Sequence, residues 1–277
     1  MICRRCRIES SHGHRCAVGL TAPPPDYSGY PIETGHMHIS FIIPAFNEEQ
    51  LIEPCLRSVT DAVAANRSYG YISEIIVVDN NSTDATAQLA KQAGAQVVFE
   101  PVNHIARART AGAGAARGDW LVFMDADCLL NAGLIGDIFE LIRQGRHIGA
   151  GSTLYMPGQP WWAEMLLRIW TFLSVQLGWA AGALIVCNAA AFREVGGFDL
   201  TLYAAEEIDL SQKLKKYGRK RKLKFAILNA HPLETSSRKT QLYSGWEIVG
   251  QFLRLVLSPL GTLRNKKKLP MWYDGRR

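Results

Sequence analysis

The sequence predicts an α/β fold, an open and mostly parallel sheet flanked by helices. Three observations predict it. Short apolar runs recur at residues 39–44 (ISFIIP), 74–79 (EIIVVD) and 120–124 (WLVFM), of the kind that form strands buried on both faces. Each stops at a polar, carboxylate-rich stretch, and the first two lead into a helical pattern, the strand–turn–helix unit of a doubly wound sheet. Finally, 277 residues with 48% hydrophobic content can bury the core that such a sheet needs.

The first strand leads through Ala45-Phe46-Asn47-Glu48-Glu49 into a helix marked by Leu51, Ile52, Cys55, Leu56 and Val59. The second ends in Asp79-Asn80-Asn81-Ser82-Thr83-Asp84, where Ser82 or Thr83 is expected to cap a helix running through Ala90. A third strand is expected over Gln96–Phe99, then a helix rich in small residues over 106–116 that carries Arg107 and Arg109. The run 118–130 (GDWLVFMDADCLL) closes the series, with Asp125 and Asp127 at the C-terminal end of its strand. In an open parallel sheet that edge is where ligands bind. Two acids one residue apart there are hard oxygen ligands suited to Mg²⁺ or Mn²⁺ shared with a phosphate, although the same pair also reads as ordinary loop acids.

Composition narrows the function. Neither a P-loop nor a G-x-G-x-x-G follows any strand, which argues against a Walker-type site and a dinucleotide fingerprint. The net charge of +6 is lopsided: from Ser211 onward there are 17 Lys and Arg against 3 acids. Such a flank suits anionic lipid or phosphorylated substrates. Nucleic acid is not expected as a partner, because no recognition motif or interleaved aromatic and basic groove accompanies the charge. Six scattered cysteines form no disulfide framework, so a reducing, cytoplasmic setting is expected.

Three segments are expected: residues 1–36 as a disordered leader, 37–240 as the working domain, and 241–277 as an amphipathic helix with a basic tail. In the leader, Cys3, Cys6, His12, His14 and Cys16 could ligate zinc, but their spacing fits no finger, and translation is expected to begin at Met37. Residues 169–192 carry no charge over 24 positions, yet Gly178 and Gly182 interrupt them, so no membrane span is expected. Trp161, Trp162, Trp170 and Trp179 suit an interfacial surface or an apolar acceptor pocket, and the C-terminal segment suits peripheral attachment to an anionic leaflet.

Six blocks in order, IIPAFNEE, VVDNNSTDAT, the arginine-bearing helix, FMDADC, GGFD at 196–199 and AEEIDLSQKLKKYG at 205–218, resemble the family 2 glycosyltransferases. The resemblance covers about residues 39–218, with a looser echo to Lys239. It implies the GT-A fold, a Rossmann-like mostly parallel sheet flanked by helices. It also implies an inverting, metal-dependent enzyme that moves a sugar from a nucleotide-diphosphate donor, a UDP-sugar or GDP-sugar with UDP favoured, to a hydroxyl acceptor that is lipid-linked or a saccharide. By the same resemblance Pro44, Ala45, Asn47 and Glu48 line base and ribose, and Asp79 accepts a hydrogen bond from the base. Arg109 lies beside the nucleotide, Asp125 faces ribose or sugar and shares the metal, and Asp127 binds the metal on the diphosphate. Glu206-Glu207 matches the acidic pair whose second member is the general base, with Glu206 as the alternative. His231 is expected to complete the metal site and Arg238 to close over the diphosphate.

The chain departs from the family pattern at Glu207, where aspartate is usual, at Asp79-Asn80-Asn81, where Asp-Asp-Gly is common, and at Thr110, where asparagine often follows the arginine. Gln251-x-x-Arg254 lacks the tryptophan of processive synthases, so a non-processive enzyme is expected. The competing readings are a nucleotidylyltransferase-like enzyme and a non-catalytic nucleotide-sugar binding module.

Overall fold

The computed structural model describes residues 36–180, 183–238, 250 and 262–269. The leader with its Cys and His residues, the helix expected at 241–257 and Trp272 lie outside the described residues.

Eight strands form one sheet in the order β3-β2-β1-β4-β7-β6-β8-β5. One half is parallel: β1 (His38–Ala45) lies between β2 (Ile72–Asp79) and β4 (Trp120–Met124), and β3 (Gln96–Phe99) extends β2. The other half is mixed. Here β7 (Leu184–Asn188) runs antiparallel to both β4 and β6 (His147–Tyr155), β6 is parallel to β8 (Lys224–Thr235), and β5 (Cys128–Leu129) closes the edge antiparallel to β8. All the strands that lead into the expected polar turns therefore lie in the parallel half.

Two-residue periodicity explains the layering. Along β4, Trp120, Val122 and Met124 face one apolar layer, with α1 (Ile52–Ala65) and α4 (Ala132–Arg143). Leu121 and Phe123 face the other, with α3 (Ile105–Ala115), α6 (Ala189–Glu194) and α7 (Glu206–Arg219). The small residues of α3 have a steric reason. A Cβ on Gly112 would collide with Ile42 and come within 2.8 Å of Val78, so only glycine lets this helix lie so close to β1 and β2. That close approach brings the mid-helix Arg109 under the sheet's carboxyl edge.

Two local expectations need correction. The helix after β2, α2 (Thr86–Gln92), begins beyond Ser82 and Thr83, which do not cap it. Asp84 Oδ1 accepts from the Thr86 amide at 3.0 Å, while Ser82 and Thr83 brace Asn47 instead. His231, expected to complete the metal site, lies within β8, which runs to Thr235 with register shifts along β6. The uncharged run 169–192 is divided among three elements: α5 (Trp161–Leu177), stopped by Gly178 at φ 60°, then β7 and the start of α6. Among the described residues no helix is long and apolar enough to cross a membrane.

Candidate active site

The cleft forms where the ends of β1 and β4 meet the start of α7. Pro44, Ala45 and Glu48 line one side, Asp125 and Asp127 the floor, and Glu206 and Glu207 the far wall, with Arg109 between them. Phe46, Asn80, Ile105, Ala126 and Ala205 complete the lining.

The loop after β1 is stiffened by the loop after β2. Asn47 adopts the left-handed conformation at φ 53°. Its amide donates to Ser82 Oγ at 3.1 Å, and its Oδ1 accepts from the Thr83 amide at 2.8 Å. The Glu48 amide donates to Thr86 Oγ1 at 2.8 Å, and Asp79 Oδ1 accepts from the Ser82 amide at 2.9 Å. Asn47 and Asp79 thus stand behind the lining as braces, and Asn80 presents a side chain in the cleft. Arg238 Nη2 donates to both carboxylate oxygens of Glu48, at 2.9 and 3.0 Å, so the segment after β8 is tied across to the β1 loop.

The floor is held from two directions. Asp125 donates its amide to the Ala183 carbonyl at 3.1 Å, and the Asp127 carbonyl accepts from the Ser236 amide at 3.1 Å. The β5–β8 pairing, Cys128 opposite Thr235, carries the turn between the two acids on the sheet edge. Beneath it the thiols of Cys55 and Cys128 are buried, and burial, reinforced by the Asp127 and Asp125 charges, pushes both up, which makes them inert packing groups rather than nucleophiles.

Arg109 organises the centre. Its Nη2 donates to Asp125 Oδ1 at 2.7 Å, and Nη1 lies 2.8 Å from Oε1 of both Glu206 and Glu207. Its guanidinium carbon is 5.7 Å from the Phe198 ring centre. Burial alone would lower its pKa, but the charges of Glu207, Asp125 and Glu206 outweigh that and hold it firmly protonated. An isolated charge so deep would be costly, and the carboxylates offset that cost.

Glu206 and Glu207 differ in environment although adjacent. The Glu206 side chain is 2% exposed and that of Glu207 15%. Burial, then the neighbouring Glu207 charge, pushes Glu206 up to about 8 against the pull of Arg109. The raised Glu206 carboxyl lies against Arg109, whose Nη1–H donates to its Oε1 at 2.8 Å. Ala205, just before the pair, has φ 60° and ψ 18°, a left-handed position that costs a non-glycine residue about 1–2 kcal/mol and turns both carboxylates toward Arg109.

His231 is not brought to this cleft. Its Nδ1 pairs with Asp137 Oδ2 at 2.9 Å, and its ring lies against Gly133, where a Cβ would overlap it. Four residues of strand, roughly 13 Å, separate it from Thr235 opposite Cys128. Among the described residues no group of three His, Cys, Asp or Glu side chains could hold a metal ion alone. The donor set at Asp125 and Asp127 still fits Mg²⁺ or Mn²⁺, which take one or two carboxylates and complete their shell with water and substrate phosphate. Sequence reasoning missed the Glu48–Arg238 tie and Asn80's place in the lining; Asn80 follows the strand's last carboxylate, and that was its available signal.

Comparison with known proteins gives the family and the fold. The sequence profile described as Glycosyl transferase family 2 matches residues 40–195. An uncharacterized glycosyltransferase of Mycobacterium tuberculosis is 31% identical over 123 residues, covering 44% of this chain and 52% of that one. The chain therefore spans about half the length of the relatives it matches. Glucosyl-3-phosphoglycerate synthase of the same organism, solved with Mn²⁺, UDP-glucose and phosphoglyceric acid, superposes with TM-score 0.54 at 21% identity, covering 85% of this chain and 80% of that one. Residues 1–349 of TarS from S. aureus, solved with UDP, give TM-score 0.56 at 17% identity over 85% and 78% of the two chains. At such identities the structural likeness speaks for the fold.

Proposed function

Because the chain belongs to glycosyl transferase family 2 and has its GT-A fold, we propose that it moves a sugar from a nucleotide-diphosphate donor to a hydroxyl acceptor, inverting the anomeric centre. One observation carries the reading: carboxylates from two separate elements, Asp125 after β4 and Glu206 and Glu207 at the start of α7, meet on Arg109, with Asp127 beside them. The stiffened β1 and β2 loops, through Pro44, Ala45, Glu48 and Asn80, receive base and ribose, with Asn47 and Asp79 fixing their shape. Arg238, already at the rim on Glu48, is in reach of the diphosphate by exchanging one acid partner for another.

Asp127, with Asp125, would hold Mg²⁺ or Mn²⁺, which as a Lewis acid supplies charge stabilisation on the diphosphate. Glu207 is the general base. It accepts the acceptor hydroxyl's proton as that oxygen bonds to the anomeric carbon, while the carbon–phosphate-oxygen bond breaks and its electron pair leaves with the diphosphate. The choice of Glu207 over Glu206 rests on exposure, since the Glu206 side chain is 2% exposed and that of Glu207 15%. Arg109 fixes both glutamates and pairs with Asp125.

The donor is a UDP-sugar in preference to a GDP-sugar, and transfer is non-processive, from the cytoplasmic side, to an acceptor that is a saccharide or is lipid-linked. A panel of UDP- and GDP-sugars, followed by nucleotide release with saccharide and lipid acceptors and with Mn²⁺ present or chelated, tests this. Acceptor-dependent release that needs the metal and is lost in Asp127→Ala is expected. Tight donor binding with no release under any condition would favour a binding module, and pyrophosphate-dependent exchange a nucleotidylyltransferase.

A further inference from the structure

Helix α5 inverts the rule for a surface helix. Of its 17 residues only Ala163 and Ser174, two small side chains, are buried. Its large apolar residues point outward: Trp161 is 76% exposed and Phe172 63%, and Met165, Leu166, Ile169 and Leu173 are exposed as well. At 100° per residue these six fall within an arc of roughly 140°, and Leu177 extends it to about 160°, on the side away from the buried pair. A patch of this kind marks an interaction surface. The helix's two charged residues, Glu164 and Arg168, lie outside the arc and pair with each other at 2.6 Å.

Charge beside the arc identifies what covers it. At the C-terminal end of α5, Lys215 Nζ donates to the Leu177 carbonyl at 2.6 Å, joining α7 to this helix. Lys215 is part of a basic run: residues 213–224 contain eight Lys and Arg, of which Lys213 is held by Asp209 and Arg221 by Glu194, while Lys216, Arg219, Lys220 and Lys222 are exposed. A second copy of the chain meeting this face would have to supply acids to those cations, and the arc offers none; Glu164, outside it, is held by Arg168. A sheet of lipid phosphates supplies them. We infer that α5 lies in the plane of an anionic bilayer surface, its apolar arc in the boundary between headgroups and acyl chains and the 213–224 run on the lipid phosphates.

This docking stands apart from the sugar-transfer reading, but it has a consequence for it. A cavity of about 610 Å³ lies between α5, at Leu167 and Thr171 with Phe172 from the margin of the apolar arc, and the end of β6. Tyr155 in its wall pairs with Glu234, one residue from Thr235, which faces Cys128 beside Asp127. Docked through α5, the cavity would stand at the headgroup layer, where an amphiphilic acceptor enters.

Flotation with phosphatidylcholine vesicles, with and without phosphatidylglycerol, tests the docking and needs no donor or turnover. The wild-type chain is expected to float with the anionic vesicles and far less with the neutral ones. The Ile169→Glu/Phe172→Glu pair, and separately Lys216→Glu/Arg219→Glu, should each lower partition by roughly tenfold or more. Unchanged melting temperature and unchanged UDP binding would verify that both variants remain folded. Equal flotation of wild type and both variants would overturn the inference, as would absence of wild-type binding to anionic vesicles. A dimer in sedimentation velocity that Ile169→Glu/Phe172→Glu disperses, with no vesicle binding, would overturn it in favour of a second copy.

Discussion

The β1–β4 half of the molecule and α5 solve opposite problems with opposite materials. At the carboxyl edge of the parallel strands, charged groups are buried and each is answered: Arg109 by three carboxylates, Glu48 by Arg238, Asp79 by the Ser82 amide. On α5, large apolar groups are exposed and only two small residues are buried. A polar network under the sheet is rigid because removing one member leaves its partners unsatisfied. An outward apolar face tolerates change, because the fold does not depend on it. The first region should therefore be sensitive in both stability and turnover, and the second in neither stability nor turnover of a water-soluble acceptor.

Arg109→Met should break the comparison most severely. It leaves Asp125, Glu206 and Glu207 converging without their cation, and a loss of about 3–5 kcal/mol is expected in urea unfolding. Glu207→Gln, which keeps an acceptor for Arg109 but loses the charge, should lower turnover by about 10²–10⁴ with little change in donor affinity and a smaller loss of stability than Arg109→Met. Gly112→Ala, one turn along α3 from Arg109, should cost about 1–3 kcal/mol by forcing α3 off Ile42 and Val78. Glu206 sharpens the electrostatic side. Its carboxyl is raised to about 8 in the folded chain from an ordinary 4.5, so the folded state binds the extra proton. Its contribution is complete below the ordinary value and fades as pH rises through about 8, whereas Glu206→Gln should flatten that part of the stability profile, measured by unfolding between pH 5 and pH 9. The smallest effect is expected on α5, where Phe172→Ser should alter stability by no more than about 0.5 kcal/mol.

The same contrast explains what the sequence made legible. Residues 120–124 are the strand expected, because an unbroken apolar run ended by carboxylates has few other solutions. The convergence of Asp125 and Asp127 with the Glu206-Glu207 pair followed from the order of motifs along a known kind of sheet. Burial of Arg109 did not, since its partner Glu206 is 97 residues away and an arginine on a small-residue helix has the same local pattern whether solvated or buried. Asn47 and Asp79 act as braces because their loops meet side by side, a pairing no single loop encodes. The mixed half of the sheet was less legible. Periodicity does not tell whether the apolar side of α5 faces in or out, and it does not encode the register shifts in β8 or the pairing of His231 with Asp137, away from the expected metal site.

The most direct test of the central claim is a crystal structure with Mn²⁺ and an unhydrolysed UDP-sugar. The account requires Mn²⁺ between Asp127 and the diphosphate, with the anomeric carbon facing the Glu207 carboxylate across the cleft. Metal bound instead at His231 and Asp137, or a diphosphate seated away from Asp125 and Asp127, would contradict it.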